Sequence, residues 1–401
     1  MTIESWRRDV SPTGIKGKRN CCGRSRTAVE SLLVAMLLLM TSQACTAEDK
    51  TIETKEGALK VETVASGLEH PWGLAFLPDG GMLVTERSGT LRIVGKDGKL
   101  SEPVKGVPEV VAEDQGGLLD VALDPKFAEN GLVYLSYSEP GEGDQSGTAV
   151  ARGRLTNGAL DNIEVIFRQT PKKDRALHYG SRLVFAPDGK LFVTLGERFK
   201  FDPAQDLATT LGKVVRINPD GSVPDDNPFV GQEGKLPEIW SYGHRNPQGA
   251  AIHPETGQLW ENEYGPLGGD EINIIEPGKN YGWPVVSWGN HYDRKDIPDP
   301  PTHPEFTDAI KHWTPVISPS GMTFYTGDAI PAWKGNLLIS GLSSQGLVRL
   351  TLDGNKVTGE ERIGLGDRIR DVAQGPDGAV YILTDRSDGE IKRLTLQKAP
   401  S

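Results

Sequence analysis

Cysteine is almost missing from this chain, with three in 401 residues at positions 21, 22 and 45. Cys21 and Cys22 fall in an N-terminal leader, so the folded part holds at most Cys45. That excludes an internal disulfide, a cysteine-built metal centre and a c-type haem, which needs Cys-x-x-Cys-His. Positive charge is scarce as well. Residues 1–44 carry seven Lys and Arg against three acids, and subtracting them from 44 and 55 leaves 37 against 52 for the rest. An acidic body of that kind speaks against nucleic acid as a partner. Long apolar runs are limited to one, and no helical periodicity persists beyond the N-terminal region. What the chain has in quantity is turn chemistry: 48 Gly and 28 Pro, spread among short apolar runs. This points to one large all-β domain.

The single apolar run, Leu32 to Met40, follows Arg24 and Arg26 and precedes Ser42-Gln43-Ala44. It is too short to span a bilayer and has the small residues a signal peptidase needs. Residues 1–44 are therefore expected to be a secretory signal, 45–58 a linker and 59–398 the folded domain. The protein is expected to be exported, to the periplasm or the outer surface. Cys45 directly after Ala44 admits a lipidated N-terminus, although Ser42 stands where such signals usually have Leu; contact with a membrane is expected only through that lipid. Arg7-Arg8 lies far from the apolar run and lacks the rest of a twin-arginine motif.

One pattern recurs: an apolar run ending in Pro, usually Pro-Asp-Gly, followed by a strand-like run. It appears at Leu74–Gly80, Val121–Pro125, Leu183–Gly189, Ala250–Pro254 and Val372–Gly378, with a weaker copy at Gly321–Tyr325. Short strands joined by such turns and repeated at long intervals match a β-propeller, and six copies predict six four-stranded antiparallel blades around a central channel. The segment Leu59–Val64, ahead of the first copy, is placed to supply an outer strand to the last blade and close the ring without a free edge. Shortly before each well-formed Pro sit His70 to Trp72, Gln115, His178, Arg245 with Asn246, and Arg368 with Arg370. Rotation of the repeats brings these side chains to one mouth of the channel.

Their chemistry is consistent with a site. A neutral His178 can take a proton from a substrate hydroxyl, and Glu197, just after the following strand, can orient it; a lone histidine can equally be a hydrogen-bonded structural residue. Arg245 can grip a planar polyanion through two parallel hydrogen bonds. Gly265-Pro266 exposes backbone carbonyls suited to a hard cation such as calcium, and Glu271, with Asp270 beside it and Tyr281 ten residues on, offers further oxygens. Those acids also read as solvated turn residues. Arg368 and Arg370 alternate along a strand entry and share one side; they need an anionic ligand or an acid, for which Asp371 is the nearest in sequence.

With these residues assembled, the chain resembles the soluble quinoprotein glucose dehydrogenases and the related aldose sugar (sorbosone-type) dehydrogenases, from His70-Pro71-Trp72 to about Leu396. The most specific blocks are Gln115-Gly116-Gly117-Leu118-Leu119, Gly243-His244-Arg245-Asn246-Pro247-Gln248-Gly249, Gly265-Pro266 with Glu271-Ile272-Asn273, Asn280-Tyr281-Gly282-Trp283-Pro284, Trp313 ahead of Pro319-Ser320-Gly321, and Arg368-Ile369-Arg370-Asp371-Val372. The resemblance implies a six-bladed propeller using pyrroloquinoline quinone (PQQ) and calcium. It implies that Gln115, Arg245, Asn246, Arg368 and Arg370 contact the quinone and that the carbonyls of Gly265 and Pro266 hold a bridging calcium. Glu271 and Tyr281 would serve a structural calcium, His178 would be the base, and Arg245 would stabilise charge on the quinone. The implied reaction oxidises an aldose to its lactone, with electrons leaving to a separate acceptor.

The chain departs from the glucose enzymes at several points. Leu177 stands where they have Asp, the longer Glu197 replaces an Asp, Ser343 or Ser344 replaces a cofactor-contacting Lys, and an aromatic expected near the sugar falls around Ile310 to His312. These differences bear on sugar choice and on quinone affinity, and they favour broad specificity. Two other readings of the same architecture are a calcium-dependent lactonase and a non-catalytic ligand-binding propeller.

Overall fold

The structure, a computed structural model, describes residues 50–397; the expected signal segment and Cys45 lie outside them. Six antiparallel sheets make six blades. Their innermost strands are Pro71–Phe76, Leu118–Leu123, Gly180–Phe185, Pro247–Ile252, Pro319–Phe324 and Ile369–Gln374. Each packs on the next and the last packs on the first, so the ring closes. The Pro-Asp-Gly turns explain the hairpins that follow. Proline presets the first turn residue, and glycine takes positive φ at Gly80 (87°), Gly189 (81°) and Gly378 (75°). Each aspartate then accepts the next backbone N–H but one, as in Gly81 N to Asp79 Oδ1 at 2.9 Å.

Four sheets have the expected four strands. The last has five, because Gly57–Leu68 pairs with Gly389–Leu396 and Lys50–Thr54 pairs with Gly57–Leu68 in turn. The expected outer strand therefore closes the ring, but part of the expected linker is a further strand. The first sheet has three strands. Its fourth place is taken by an irregular segment tied on by Ser101 N to Ile93 O and Val104 N to Leu91 O, each 2.8 Å.

Apolar side chains fill the gaps between blades. Leu83, Leu91, Leu118, Val121, Val133 and Leu135 form one such cluster between the first two; truncating any of its leucines to Ala costs about 2–5 kcal/mol. Polar residues stitch the same seams. Every inner strand has a register shift near its entry against the second strand of its blade. Opposite the shift stands a buried Thr85, Ser136, Thr194, Asn262 or Ser340, which donates to the neighbouring blade: to the carbonyls of Leu119 (2.5 Å), Ser181 (2.6 Å), Pro247 (3.1 Å), Ser320 (2.9 Å) and Arg370 (3.2 Å). The sixth position is Leu383, and there the seam is bridged from the other side by Leu74 N–H donating to Asp371 Oδ2 at 3.2 Å. Such bulges re-aim the residues just ahead of them. In this ring they turn strand entries towards one mouth of the channel.

Candidate active site

Antiparallel pairing returns the chain to the end at which it started. The mouth is consequently built from strand entries and from the ends of the second strands together. Two adjoining cavities lie there, sharing Gln115, Tyr264 and Ser318. One, of about 290 Å³, is bounded by Trp72, Arg87, Arg368 and Arg370 among others. The other, of about 490 Å³, is bounded by His178, Arg245, Gly265, Pro266 and Asp270 among others.

His178 sits at the entry of the third blade with φ of 50° and is buried. Its backbone N–H donates to Gln115 Oε1 at 2.9 Å, which fixes the bend and leaves the Gln115 NH2 group for other partners. Its Nδ1 lies 2.7 Å from Oε1 of Glu197, which is completely buried. The second oxygen of Glu197 accepts the N–H of Phe201 at 2.7 Å and that of Lys200. A carboxylate so placed makes Nδ1 the protonated nitrogen and leaves Nε2 as the free lone pair. Burial, followed by the Arg245 guanidinium, pulls the imidazole pKa from 6.5 down to about 4, against the attraction of Glu197. At neutral pH the ring is uncharged and able to accept a proton.

The cations converge as expected, with a different acid among them. Arg368 and Arg370 both reach Asp385 Oδ2 at 2.9 Å, and His70 Nδ1 lies 3.2 Å from its other oxygen. Burial opposes ionisation of Asp385, but these partners hold its carboxyl well below the usual range. Asp371, the acid nearest in sequence, instead pairs with buried Arg182 at 3.3 Å, deeper in the channel beside Asp120. Arg245 donates to Tyr264 O (3.2 Å) and to the Tyr292 hydroxyl (3.1 Å). Asn246 lines neither cavity; its Oδ1 accepts the N–H of Gly180 at 3.1 Å, so its amide secures the bend after His178.

Several buried donors at the two cavities have no partner: Arg245 Nε, Arg370 Nε and the Tyr264 hydroxyl. Leaving such groups unpaired costs about 1–3 kcal/mol each. A planar ligand with several carboxylates and carbonyl oxygens fits this donor set, as a trianionic quinone does.

Asp270 is a buried anchor. Its carboxylate accepts N–H groups from Gly265 (3.1 Å), Ile317 (2.8 Å) and Ser318 (2.7 Å), pinning the Gly265-Pro266 turn at the cavity wall. Hard carbonyl oxygens held in that way suit calcium. Glu271 and Tyr281 meet at a separate small crevice with Glu263 and Gly265. The Tyr281 hydroxyl is already engaged, with Ile274 O at 2.5 Å and Glu276 N at 2.9 Å, so the oxygen it retains is its backbone carbonyl. Burial, then Glu263 and Glu261, raise the carboxyl of Glu271 well above the ordinary value. This excess of negative charge favours a cation. His244 lies beside it, 3.4 Å from Glu261 and 3.3 Å from Glu263, and the three form a group with metal-ligand spacing.

Arg87, Tyr264, Asp385, Phe199 and Tyr292 also border the site, although none was singled out in the sequence. The first three follow second strands, Met82–Glu86, Leu259–Glu263 and Val380–Thr384. Treating those strand ends like the strand entries would have found them. At the fifth blade the cavity receives Leu342, while Ser343 is exposed and Ser344 Oγ is buried without a partner.

Residues 68–393 match the family model described as Glucose / Sorbosone dehydrogenase. Aldose sugar dehydrogenase YliI of Escherichia coli is 46% identical over 344 residues, 84% of this chain and 93% of that protein. Quinoprotein glucose dehydrogenase B of Acinetobacter calcoaceticus is 30% identical, over 81% of this chain and 85% of its own. The PQQ-bound aldose sugar dehydrogenase of Streptomyces coelicolor superposes with a TM-score of 0.70 at 30% identity, covering 84% of this chain and 98% of that one.

Proposed function

The chain belongs to the Glucose / Sorbosone dehydrogenase family, and from that premise we propose that it is an aldose sugar dehydrogenase depending on PQQ and calcium. The observation that carries the reading is the His178–Glu197 pair at 2.7 Å, on the wall of a cavity that also holds Arg245 and the Gly265-Pro266 turn. His178 Nε2 accepts the proton of the anomeric hydroxyl, and Glu197 holds the tautomer and offsets the imidazolium charge that results. Arg245, Arg368 and Arg370 bind the carboxylates and carbonyls of the quinone, with Gln115 at the rim. The carbonyls of Gly265 and Pro266 would hold calcium at the cavity wall, and Glu271 with the Tyr281 carbonyl would hold a second calcium. When bound, the quinone supplies the two-electron acceptor for hydride from the anomeric carbon, and calcium with Arg245 favours the charge that develops on its oxygen. The sugar loses one proton and one hydride and becomes the lactone.

A separate acceptor then removes the electrons, since the chain has no haem-attachment motif. The leader directs the protein to the periplasm or the outer surface, with membrane attachment only through a lipid on Cys45. The test is to add PQQ and calcium to the purified protein and follow dye reduction with a panel of aldoses. Turnover is expected; cofactor-loaded, folded protein that oxidises no sugar refutes the reading. His178→Ala is expected to abolish turnover while cofactor binding survives.

A further inference from the structure

Lys213 opens the strand Lys213–Ile217 and is the one buried lysine among the described residues. It forms no ion pair with any of them. Burial pulls its pKa from 10.5 down to about 7, and Asp206 counters only from a distance. A charged amine is costly to bury unless all its hydrogens are taken. They are taken here: Nζ donates to Leu211 O at 2.7 Å, Pro203 O at 2.9 Å and Ala204 O at 3.0 Å, one oxygen for each of its three N–H groups. Converging carbonyls of this kind ordinarily hold a hard metal cation. In this fold the cation is tethered to the chain.

The second observation is what those carbonyls belong to. Pro203 and Ala204 lie in the short 3-10 turn Asp202–Gln205, and Ala204 N–H donates to Phe201 O at 3.0 Å. Phe201 N–H in turn donates to Glu197 Oε2 at 2.7 Å, while the other oxygen of Glu197 faces His178 Nδ1 at 2.7 Å. The intervening backbone does not hold itself. Arg198, Phe199 and Phe201 have φ of 61°, 57° and 66°, a region that bulky side chains rarely adopt, so the segment needs a clamp from outside. Lys213 supplies it at the far end of the turn.

The third is that the same node reaches the next blade. Ala204 O also accepts the Gly243 N–H at 3.0 Å, and His244 N–H donates to Gly212 O at 3.2 Å. Gly212 has φ of 66°, and a Cβ there would lie 2.4 Å from His244 O and 2.8 Å from the Ala204 Cβ, so turn, strand and blade entry meet without a gap. One residue further on, Arg245 O accepts the Glu197 N–H at 3.0 Å. Glu197 is therefore fixed by its backbone from the Arg245 side and by its carboxylate from the turn that Lys213 grips.

We propose that Lys213 is a positioning residue for the His178–Glu197 pair: its ammonium clamps the 202–205 turn to the strand Lys213–Ile217, and the turn sets the place of the Glu197 carboxylate. The inference rests on the sugar dehydrogenase reading and adds to it a residue that lines neither cavity of the site.

The test replaces Lys213 in two ways. Lys213→Met keeps the length and removes all three donors, and Lys213→Gln keeps a shorter group with two. The first readout is nitrogen NMR of the cofactor-free proteins labelled at histidine, with His178→Ala identifying the His178 signals. Wild type should show the proton on Nδ1, and Lys213→Met should lose that signal or divide it between the two ring nitrogens. The second readout is kinetic. With PQQ and calcium loaded, Lys213→Met should lower kcat by about ten- to a hundredfold, as misplacement of a catalytic group does, while PQQ Kd and the KM for glucose stay within about threefold of wild type. A folded Lys213→Met protein with the wild-type His178 signal and kcat shows that Lys213 serves stability alone and overturns the proposal. If Lys213→Met does not fold, Lys213→Gln decides by the same readouts: a weakened Nδ1 signal with kcat down about three- to tenfold supports the clamp, and wild-type values overturn it. If the loaded wild-type enzyme oxidises no sugar, the dehydrogenase reading fails, while the nitrogen signal still decides whether Lys213 places Glu197 against His178.

Discussion

Replacing Glu197 by Gln tests the central pair with the least change in shape. Glu197 accepts three hydrogen bonds, from His178 Nδ1 with one oxygen and from the N–H groups of Lys200 and Phe201 with the other. Glutamine has one carbonyl oxygen and one NH2 group. If the oxygen faces His178, the NH2 meets two backbone donors in a completely buried place. If the oxygen faces Lys200 and Phe201, the NH2 points at Nδ1, which must then be the unprotonated nitrogen; the proton moves to Nε2 and the base is blocked. Keeping the productive tautomer forfeits a charge-assisted hydrogen bond, about 1.5–3 kcal/mol, and leaves buried donors unpaired at about 1–3 kcal/mol more. A sum near 4 kcal/mol is about a thousandfold in population.

The expected result is a kcat lowered by about a thousandfold, with PQQ affinity within threefold of wild type by calorimetry. Glu197→Asp should also fail, since a shorter side chain cannot reach His178 and the loop at once. A Glu197→Gln enzyme that binds PQQ and retains more than a tenth of wild-type kcat would refute the assignment of Glu197 as the group that sets the tautomer.

Three further outcomes are expected. Arg87→Ala and Arg370→Ala should each weaken PQQ binding by ten- to a hundredfold, the equivalent of about 1.5–3 kcal/mol for a charge-assisted hydrogen bond; calorimetry at fixed salt measures it, and an unchanged Kd removes the residue from the cofactor site. Because the His178 pKa is depressed to about 4, its neutral form, and with it kcat/KM, persists above that value and is lost as pH falls through it. Arg245→Gln should move this acid limb up towards 6.5, and a limb that stays in place shows that another group titrates. Ser136→Ala strips the partner from Ser181 O and from the Asp120 N–H, which donates to the Ser136 hydroxyl at 2.9 Å. It should cost about 2–4 kcal/mol of stability, seen as a lower Tm, with activity per folded molecule unchanged; an unaltered Tm would deny the seam its role.

What the sequence made legible was whatever local chemistry decides. Pro-Asp-Gly turns fix a hairpin within four residues in three blades and a Pro after an apolar run marks two more, so five inner strands were readable from the turn and the sixth from its weaker copy at Gly321–Tyr325, and the alternation of Leu59–Val64 showed the closing strand. The fifth strand at Lys50–Thr54 was not readable, because its five residues become a strand only by pairing with an edge already formed by Gly57–Leu68. The missing fourth strand of the first blade was hidden for the opposite reason: two backbone hydrogen bonds hold that segment without regular structure. In the site, His178, Glu197, Arg245 and the Arg368–Arg370 pair were legible by residue type and position. Asp385 was not, since its nearness to Arg370 depends on two neighbouring strands of one blade ending together, whereas Asp371 is adjacent in sequence yet points to Arg182.

The same topology settles the balance of charge at the mouth. The sequence suggested a deficit there, with Ser343 and Ser344 in place of a cation on the fifth blade. Arg87, at the end of the second strand of the first blade, reaches the cavity shared by Arg368 and Arg370 and supplies a guanidinium from another direction. Burial lowers its pKa first, and repulsion from Arg370 comes next, with Asp385 countering. Arg368 and Arg370 already share Asp385, so Arg87 adds positive charge that no acid in the cluster fully offsets. Under the proposed function a polyanion would relieve the repulsion among these groups, so affinity for the quinone and stability of the mouth would draw on one term. A ligand at a hundred times its Kd adds about 2.7 kcal/mol to the folded state. Part of that stabilisation must come from quieting the arginines, and it should weaken as salt screens them in the free protein.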